Sequence, residues 1–369
     1  MNILIIDNSV AFTGAFKCAL NEAELLKEAH NISFLLPSDS TLTPEVEKYG
    51  FTVYTLPLKE ISRSLKALAV YPLALIRNFT ALNKIIRKER IEVVQINDFY
   101  NLLGALLKMS GYKGKVLTWV RFLPNGLPAP LRILWTKAAV KYSDAVVAVS
   151  DAVLGQLPKP KHVVRIYDAV ELKEQHSSKD RGSNESVLFL YLANYTRGKG
   201  QEYAIEAFSK AYKQNQKIRM KFAGGDMGLE KNRQFRNELE KRIGELKLQE
   251  VVKVEGFVSD TEQEIKQADV LLNFSEGESF SMTCLEAGYY GRPTIATKCG
   301  GPEEIIADGL TGILVNKRDT DAMAAAMLAL AEDEEKRKEY GKEAREYVRS
   351  KFSKEQFKQQ LTEILGESK

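Results

Sequence analysis

Short apolar runs alternate with amphipathic stretches along the whole chain. The apolar runs are continuous, which is typical of strands buried on both faces of a parallel sheet. The amphipathic stretches between them predict helices that cover such a sheet. In the first half the predicted strands are Ile3–Ile6, Ile32–Leu36, Thr52–Leu56, Val93–Ile96, Val116–Val120 and Ala145–Val149, and the predicted helices are Ala15–Glu28, Lys59–Lys88 and Ala129–Tyr142.

The same alternation restarts after residue 185. The predicted strands are Val187–Leu192, Arg219–Ala223, Val251–Val254, Val270–Phe274, Thr294–Ala296 and Gly312–Val315. The predicted helices are Gln201–Gln214, Leu229–Leu246, Ser281–Tyr290, Thr320–Tyr347 and a last one at Ser353–Leu365 that Ser353 would cap.

The two series predict an α/β protein with two doubly wound parallel-sheet (Rossmann-like) domains facing a central cleft. Residues 171–185 contain one apolar residue and are interpreted as a linker. The first domain would span residues 1–170 and the second 186–350, with a C-terminal helix in 351–369 crossing back to the first domain. Ligands of such sheets bind beyond the carboxyl ends of the strands, so the cleft is the expected site.

Length and composition agree with two soluble-type domains. The chain has 369 residues, of which 44 % are hydrophobic and 28 % charged, and this excludes disorder, a coiled coil and a disulfide scaffold. The N-terminus lacks the basic segment of a signal peptide, and the longest apolar run, Ala67–Ile76, is shorter than the ~20 residues that cross a bilayer. The three cysteines have no metal-like spacing and are expected to be reduced thiols of a cytoplasmic protein.

The net charge of +4 is unevenly distributed between the two halves. Residues 1–169 contain 21 Lys and Arg against 14 Asp and Glu, whereas the remainder contains 32 against 35. A basic first half would suit an anionic membrane surface or a phosphorylated acceptor. Scattered, solvated lysines would give the same count, and both interpretations stay open.

The densest chemical signal is residues 276–287, which follow the predicted strand Val270–Phe274 as a polar turn and the start of a helix. Ser281 would cap this helix, whose first amides could hold a phosphate. Glu278 on the turn and Glu286 two helical turns further on could border one cleft and accept hydrogen bonds from sugar or ribose hydroxyl pairs. An ordinary capping turn with one surface glutamate is the alternative.

Three other strand ends carry weaker signals. Residues 299–304 place two glycines before a proline that would begin a helix, which lets backbone approach a ligand closely. Arg197 and Lys199 lie between a strand and a helix, where two cations suit a diphosphate or are simply solvated. The pair Gly224 and Gly225 ends a predicted strand and is a weak signal by itself.

Several function classes lack support in the sequence. There is no Walker motif and no Gly-x-Gly-x-x-Gly fingerprint, and the first domain offers one glycine, Gly14, after its first strand. His30, His162 and His176 lack the spacing of metal ligands. No Ser-His-Asp triad or nucleic-acid-binding module is evident, so neither a metal site nor a nucleic-acid partner is expected.

Taken in order, these motifs resemble the family 4 retaining glycosyltransferases of the GT-B fold. The likeness is firm over Val187–Val315 and looser over the first half. Its carriers are Glu278 and Glu286 in the Glu-Ser-Phe-Ser-x4-Glu-Ala segment, Gly291–Ala296, Gly300–Ile306, Asp308–Val315, the Lys199-Gly200 step and the Gly224-Gly225 strand end.

The resemblance implies a role for each of these residues. Glu286 would hold the ribose hydroxyls of a nucleotide-sugar, and Glu278 would contact the hydroxyls of the transferring sugar. Lys199, helped by Arg197, would neutralise the departing diphosphate without a metal ion. Further donor-binding contacts would come from the backbone amides of Phe280, Ser281 and Met282 and from the positions of Gly14, Asn194, Gly224 and Gly225.

The chain departs from the family pattern at three places. Asn194 stands where the family has an arginine five residues before the lysine, and Arg197 is expected to substitute for it. Arg121 stands near the position of a histidine after the fifth strand, where it would act as a fixed cation or form a structural salt bridge. The junction motif Asn-Gly-Val-Asp is replaced by residues 168–171, and the glycine that usually accompanies Gly14 is Thr13.

The expected function is a metal-independent, retaining transfer of a sugar from a nucleotide diphosphate to an acceptor hydroxyl, in the synthesis of a bacterial surface glycan. The acceptor would be a glycan or a lipid-linked glycan, and the cytoplasmic enzyme would contact the inner membrane face peripherally. The departures leave a second hypothesis open, a nucleotide-sugar-binding protein or partner subunit without activity. A third, a nucleotide-sugar epimerase, is disfavoured by the Glu278/Glu286 pattern.

Overall fold

The computed structural model describes residues 1–58, 65–169 and 186–366, and side chains are described from residue 70 onward in the helix that begins at Leu65. Two compact units divide these residues. The first comprises Met1–Ala169 together with residues from Lys354 onward, and the second ends at Ser353. The predicted linker 171–185 and the first residues of the predicted helix Lys59–Lys88 lie outside the described residues.

The first unit is built on a parallel sheet of seven strands. The order across the sheet is β3-β2-β1-β4-β5-β6-β7, in which Ile3 of β1 pairs with Ile32 of β2 on one side and with Val93 of β4 on the other. The strands are β1 (Asn2–Ile6), β2 (Asn31–Pro37), β3 (Thr52–Leu56), β4 (Val93–Ile96), β5 (Lys115–Val120), β6 (Ala145–Ala148) and β7 (Val163–Arg165). The connecting helices are α1 (Gly14–Leu26), α2 (Thr43–Lys48), α3 (Leu65–Glu89), α4 (Leu103–Met109), α5 (Ala129–Tyr142) and α6 (Asp151–Leu154).

The second unit has a parallel sheet of six strands in the order β10-β9-β8-β11-β12-β13. Its strands are β8 (Val187–Leu192), β9 (Ile218–Ala223), β10 (Val252–Glu255), β11 (Val270–Asn273), β12 (Thr294–Thr297) and β13 (Gly312–Val315). Its helices are α7 (Gln201–Tyr212), α8 (Glu230–Glu245), α9 (Thr261–Gln267), α10 (Met282–Tyr289), α11 (Pro302–Ile305), α12 (Thr320–Glu332) and α13 (Glu334–Lys351).

The prediction of two parallel-sheet α/β domains is confirmed. The central strands are buried on both faces, as β6 with its four fully buried residues illustrates. The core of the second unit is rich in aromatic residues, and Phe189, Tyr191 and Phe222 are almost completely buried in it. The continuous apolar runs therefore indicate these strands correctly, because a strand that is covered on both faces has no side that must be polar. The three cysteines are free and buried.

One predicted helix was wrong, and one strand of the first sheet was not predicted. The predicted helix Thr320–Tyr347 is two helices, because Asp333 leaves the helical conformation and its carboxylate accepts the amide hydrogen of Lys336 to cap α13. The strand β7 was not predicted, since three residues at the edge of a sheet give too short a pattern.

The final helix, α14 (Lys354–Leu365), packs into the core of the first unit. Phe357, Leu361 and Leu365 are buried along one face of α14, and the ring of Phe357 lies 6.1 Å from that of Trp119 on β5. The ammonium group of Lys115 donates to the carbonyl of Leu365 at 2.6 Å and so satisfies a C-terminal carbonyl of the helix. The first unit therefore depends on residues from both ends of the chain.

We expect Leu361→Ala to destabilise the first unit by about 2–5 kcal/mol, because the Leu361 side chain is 1 % exposed and its truncation leaves a cavity. Gln360→Ala, on the exposed side of α14, is the control and should change the free energy of unfolding by less than ~0.5 kcal/mol. Chemical denaturation with hydrogen exchange on β5 measures both variants. Equal stability of the two variants would contradict the packing role assigned to α14.

Candidate functional site

Three loops meet at the carboxyl edge of the second sheet. Chain direction across the sheet changes between β8 and β11, because the chain runs from β8 outward to β9 and β10 and then returns to the other side of β8. Such a switch point leaves a crevice between neighbouring strand ends, and ligands of open α/β sheets bind there. Lys199 lies in the loop after β8 and Glu278 in the loop after β11.

Lys199 and Glu278 form a direct ion pair at this edge. The Lys199 Nζ donates to Glu278 Oε1 at 2.7 Å, and Ser275 Oγ donates to the same oxygen at 2.8 Å. The side chain of Lys199 is 35 % exposed and that of Glu278 is 15 % exposed, so the pair is accessible at the surface. Burial lowers the pKa of the Lys199 ammonium, but the charge and hydrogen bond of Glu278 outweigh it and raise that pKa above its ordinary value.

Backbone hydrogen bonds hold the Glu278 turn against the loop that follows β12. The amide of Glu278 donates to the carbonyl of Cys299 at 3.2 Å, and the amide of Gly301 donates to the carbonyl of Glu278 at 2.8 Å. On the other side, the amide of Glu276 donates to the carbonyl of Gly198 at 2.8 Å. The Glu278 turn is therefore tied to both neighbouring loops, which fixes the acid beside the lysine.

Gly301 is required by this packing. A Cβ atom at Gly301 would lie 2.1 Å from the carbonyl oxygen of Phe280, a distance that no side chain tolerates. The amides of Cys299 and Gly300 both donate to the carboxylate of Glu303, at 3.0 and 2.8 Å. The glycine pair thus brings two protein segments together, whereas the sequence suggested close approach to a ligand. As expected, Pro302 occupies the first turn of α11.

Helix α10 begins beside the Lys199–Glu278 pair. Ser281 has a φ of 95°, a left-handed conformation that is unusual for serine, and its hydroxyl accepts from the amide of Cys284 at 3.5 Å. The side chain of Asn273 fixes that hydroxyl by donating to it at 2.9 Å. The Met282 amide belongs to the first helical turn, which has no intrahelical acceptor. Phe280, immediately before the cap, buries its ring at 5.4 Å from that of Phe352.

Glu286 lies on α10 and is 2 % exposed. The Thr261 hydroxyl at the start of α9 donates to Glu286 Oε2 at 3.5 Å. The carboxylate is therefore part of the interior of the second unit at this edge of the sheet. Its assignment to ribose hydroxyls stays a prediction.

Other predicted site residues in the second unit face different partners. Arg197 is 67 % exposed at its side chain, pairs with Glu238 of α8 at 2.6 Å and lies over the ring of Phe235. Asn194 joins strand ends, since its side-chain oxygen accepts from the amide of Gly225 at 3.1 Å. Arg197 thus does not join the Lys199–Glu278 pair, contrary to the expectation that it would assist Lys199.

Gly224 is needed for contact within the protein. A Cβ atom at Gly224 would lie 1.9 Å from the carbonyl oxygen of Ala193, so only glycine fits between the ends of β8 and β9. Gly225 is less restricted, with the nearest atom, on Asn194, 3.3 Å from a Cβ position. The contact with Ala193 therefore explains Gly224 without a ligand.

In the first unit, Arg121 belongs to a buried ion-pair cluster. Its Nε donates to the side chain of Asn97 at 2.7 Å, one terminal nitrogen donates to Asp168, and the other lies 3.4 Å from Glu22. The guanidinium also lies 4.2 Å from the ring centroid of Trp119. Of the two roles predicted for Arg121, a fixed cation for a ligand or a structural salt bridge, its burial among these partners favours the salt bridge.

The cluster contains more acid than base. Burial raises the pKa of Glu22 to about 7, although Arg121 and a hydrogen bond from Gln95 oppose this shift. Glu22 Oε1 has no hydrogen-bond partner among the described residues. Asp168 is the acid that accepts a hydrogen bond from Arg121, whereas Glu22 lies 3.4 Å from the other terminal nitrogen.

Gly14 is exposed at the beginning of α1, where a Cβ atom would have open space around it. Thr13 caps the helix by accepting from the amide of Phe16 at 3.1 Å. The donor contact predicted for Gly14 stays a prediction.

Sequence reasoning missed the residues that position the site. Tyr191 on β8 has a phenol that donates to the carbonyl of Lys199 and accepts from the amide of Phe274 at 2.7 Å, so it links the two strand ends. Thr297 at the end of β12 donates to the carbonyl of Ser275 at 2.5 Å. In the sequence Tyr191 is one more apolar strand residue, and no local signal distinguishes it.

The described residues contain no cluster of three or more His, Cys, Asp or Glu that could hold a metal ion. Of the helices in the described parts of the chain, none combines the length and apolar character that crossing a bilayer requires.

The chain is similar in sequence to known proteins. Residues 172–347 match the family described as Glycosyl transferases group 1. N-acetyl-alpha-D-glucosaminyl L-malate synthase of Bacillus anthracis is 27 % identical over 61 % of this chain and 60 % of its own length. Alpha-1,3/1,6-mannosyltransferase ALG2 of Dictyostelium discoideum is 32 % identical over 49 % of this chain and 46 % of its own. These matches span about half of each relative.

Solved structures are similar over nearly the whole chain. Anabaena Alr3699/HepE in complex with UDP and glucose has a TM-score of 0.84 at 20 % identity, with 99 % of both chains covered. Sucrose-phosphate synthase of Thermosynechococcus elongatus has a TM-score of 0.81 at 19 % identity, with 98 % of both covered.

The two parallel-sheet units and the site at the β8/β11 switch point define a GT-B protein. With the family match over residues 172–347, the chain is similar to the glycosyltransferases of the family 4 type.

We expect Arg121→Met to destabilise the first unit by about 3–5 kcal/mol, because it leaves Asp168 buried without its cation. Arg165→Met is the matched control: Arg165 pairs with Asp151 at the surface, and its loss should cost less than ~1 kcal/mol. Urea unfolding without any substrate measures both. An Arg121→Met protein as stable as wild type would restore a ligand-facing role for this arginine.

Proposed function

We propose that the chain is a glycosyltransferase that moves a sugar from a nucleotide diphosphate to an acceptor hydroxyl. The observation that carries this proposal is the contact of Lys199 with Glu278 at the switch point of the second sheet. A cation and a carboxylate in contact suit adjacent parts of one ligand, a diphosphate and a sugar that carries hydroxyl groups. In the absence of donor the two groups satisfy each other, and donor binding would exchange their ion pair for contacts to the ligand.

The proposed reaction breaks the bond between the anomeric carbon and the diphosphate oxygen. A new bond forms between that carbon and the acceptor oxygen, whose proton is released, and the nucleotide diphosphate leaves with the bonding electrons. Lys199 and the first amides of α10 would stabilise the negative charge that develops on the leaving group. Because these groups would stabilise the leaving group themselves, we propose that the reaction needs no metal ion. We propose retention of the anomeric configuration on the ground of the family resemblance.

The donor and the pathway are also proposals. Alr3699/HepE was solved with UDP and with glucose, and this makes UDP the first nucleotide to test. We assign Glu286, which is buried on α10, to the hydroxyls of the donor's ribose. We propose a role in the synthesis of a bacterial surface glycan, with a glycan or lipid-linked glycan acceptor, by a cytoplasmic enzyme.

A nucleotide-sugar-binding protein without transferase activity is the second candidate. Asn194 favours it, because the position that holds an arginine in the family here carries an amide that bonds to Gly225. Arg121 does not favour it further, since its interactions are structural. The two candidates differ in one observable, the transfer of sugar to an acceptor.

We expect Lys199→Ala and Glu278→Gln to lower the rate of nucleotide diphosphate release by about 10²–10³-fold, as loss of a transition-state contact does. Lys210→Ala and Glu230→Gln are matched controls, because both residues form surface pairs, with Asp321 and Arg233, and should leave the rate unchanged. The assay measures diphosphate release and acceptor glycosylation across UDP-, GDP-, ADP- and dTDP-sugars. Equal rates in all five proteins would reject the site, and donor binding without transfer to any acceptor would favour the second candidate.

The first unit offers a surface for the proposed membrane contact. On α3 the side chains of Val70, Leu73 and Ile76 are 50, 71 and 60 % exposed. The helix sequence has no acidic residue before Glu89, whereas Arg77 and Lys84 are exposed along it. Exposed apolar side chains beside basic ones suit the headgroup region of an anionic membrane.

We expect Leu73→Glu to reduce binding to phosphatidylglycerol-containing vesicles at least fivefold, because it places a charge in the apolar stripe of α3. Leu310→Glu, at a leucine that is 49 % exposed in the second unit, is the control and should bind like wild type. Vesicle co-sedimentation at low and high salt measures both variants. Wild-type protein that does not sediment with anionic vesicles would refute the membrane contact.

A further inference from the structure

A second charged cluster lies beside the Lys199–Glu278 pair, and the proposed reaction does not use it. Its centre is Glu276, whose Oε1 accepts from the hydroxyl of Tyr203 and from Nε of Arg318, each at 2.8 Å. A terminal nitrogen of Arg318 lies 2.7 Å from the same oxygen. Tyr203 belongs to α7, and Arg318 lies in the loop between β13 and α12. One carboxylate thus joins three separate segments of the second unit.

Glu276 is also connected to both members of the ion pair through the backbone. It precedes Glu278 by two residues, and its amide donates at 2.8 Å to the carbonyl of Gly198, which adjoins Lys199. Its own carbonyl accepts from the ammonium group of Lys317 at 3.2 Å. A shift of Glu276 would therefore displace the Glu278 turn relative to the loop that carries Lys199.

Arg318 contacts Glu276 from an unusual backbone conformation. Its φ is 64°, in the left-handed region that residues other than glycine seldom adopt. Such a conformation costs free energy and persists where surrounding contacts enforce it. The side chain of Arg318 pairs with Glu276, and its carbonyl accepts from the amide of Thr320 at the start of α12 at 3.1 Å. The β13–α12 loop is thus held in a shape that presents Arg318 to Glu276.

The cluster orients the carboxylate of Glu276 more than it stabilises the fold. The side chain of Glu276 is 34 % exposed and that of Arg318 is 66 % exposed, and ion pairs as accessible as this one contribute little to the free energy of unfolding. The hydrogen bond from Tyr203 and the charge of Arg318 lower the pKa of Glu276 against the opposing effect of burial, so the carboxylate is ionised at neutral pH. A carboxylate held by a hydroxyl and a guanidinium has a fixed orientation, and the turn that carries it is fixed with it.

We propose that Glu276 is a positioning residue for the Lys199–Glu278 pair. Held by Tyr203 and Arg318, it keeps the Glu278 turn against the loop that carries Lys199, so that the cation and the acid meet in one geometry. In this role Glu276 acts through the pair and not on the donor. What the inference says about catalysis rests on the proposed function, whereas what it says about the geometry of the pair does not.

The geometry is tested by the rate at which Lys199 is acetylated. Because Glu278 raises the pKa of the Lys199 ammonium against the effect of burial, loosening their contact lowers that pKa and increases the fraction of reactive free amine. Pulse labelling of the full chain with acetic anhydride, read by mass spectrometry, measures this rate. We expect Glu276→Ala to raise the labelling rate of Lys199 roughly threefold or more. Glu278→Gln gives the rate of the unpaired lysine and so calibrates the measurement.

Two controls make the labelling specific to the pair. Glu206→Gln should label like wild type, because Glu206 lies on α7 and forms a comparable surface pair with Arg242 at 36 % side-chain exposure. Lys221, an ion-paired lysine of β9 whose side chain is 16 % exposed, reports on the integrity of the second unit. Unchanged labelling of Lys199 in Glu276→Ala would overturn the proposal. A rise shared by Lys221 would also overturn it, because it would indicate that the whole unit has loosened.

Nucleotide diphosphate release tests the consequence for catalysis, with the donor that wild type turns over fastest among UDP-, GDP-, ADP- and dTDP-sugars. We expect Glu276→Ala to lower kcat about tenfold without lowering the thermal stability, and to cause no further drop when it is combined with Lys199→Ala. An unchanged kcat in Glu276→Ala would overturn the proposal, and so would a further drop in the double variant, because Glu276 would then act without the pair. Wild-type protein that releases nucleotide from no donor would instead count against the proposed function, and the labelling of Lys199 would still decide the geometry.

Discussion

The ion pair between Lys199 and Glu278 depends on the order of strands in the second sheet. Residues 79 apart in sequence meet because β8 and β11 are neighbours whose connections leave in opposite directions. Hydrogen bonds also hold both partners in place. The phenol of Tyr191 donates to the carbonyl of Lys199, and backbone hydrogen bonds join the Glu278 turn to Cys299 and Gly301. A lysine and a glutamate at a surface are worth little to stability, so this degree of support points to function.

Much of this arrangement could be predicted from the sequence. The strands Thr52–Leu56, Val93–Ile96, Val187–Leu192 and Gly312–Val315 have the predicted bounds, because a buried parallel strand is a continuous apolar run with polar ends. The capping role of Ser281 followed from its position before an apolar helix. These signals are local, and so local reasoning captured them.

The roles of other residues depended on what lies far away in sequence. Arg121 and Lys199 are both basic residues that follow a strand, yet Arg121 is buried among acids and Lys199 is accessible. The difference arises from Glu22 and Asp168, which no pattern near Arg121 reveals. Gly224 and Gly301 likewise resemble ligand-binding glycines, but their missing side chains make room for the backbone of Ala193 and Phe280.

The two units treat buried charge differently, and this bears on the choice between an active and an inactive protein. In the first unit the guanidinium of Arg121 is buried, and it pairs with Asp168, which follows β7, and with Glu22 on α1. In the second, the charges of Lys199 and Glu278 meet at the surface, where a ligand can replace either partner. An inactive descendant would have no need to keep a cation beside a carboxylate on a turn held by hydrogen bonds, since an ion pair that is accessible at the surface adds little to stability. The departure from the family pattern at Arg121 is therefore explained by the stability of the first unit. The choice between an active and an inactive protein depends on the second unit, where Asn194 still departs from that pattern.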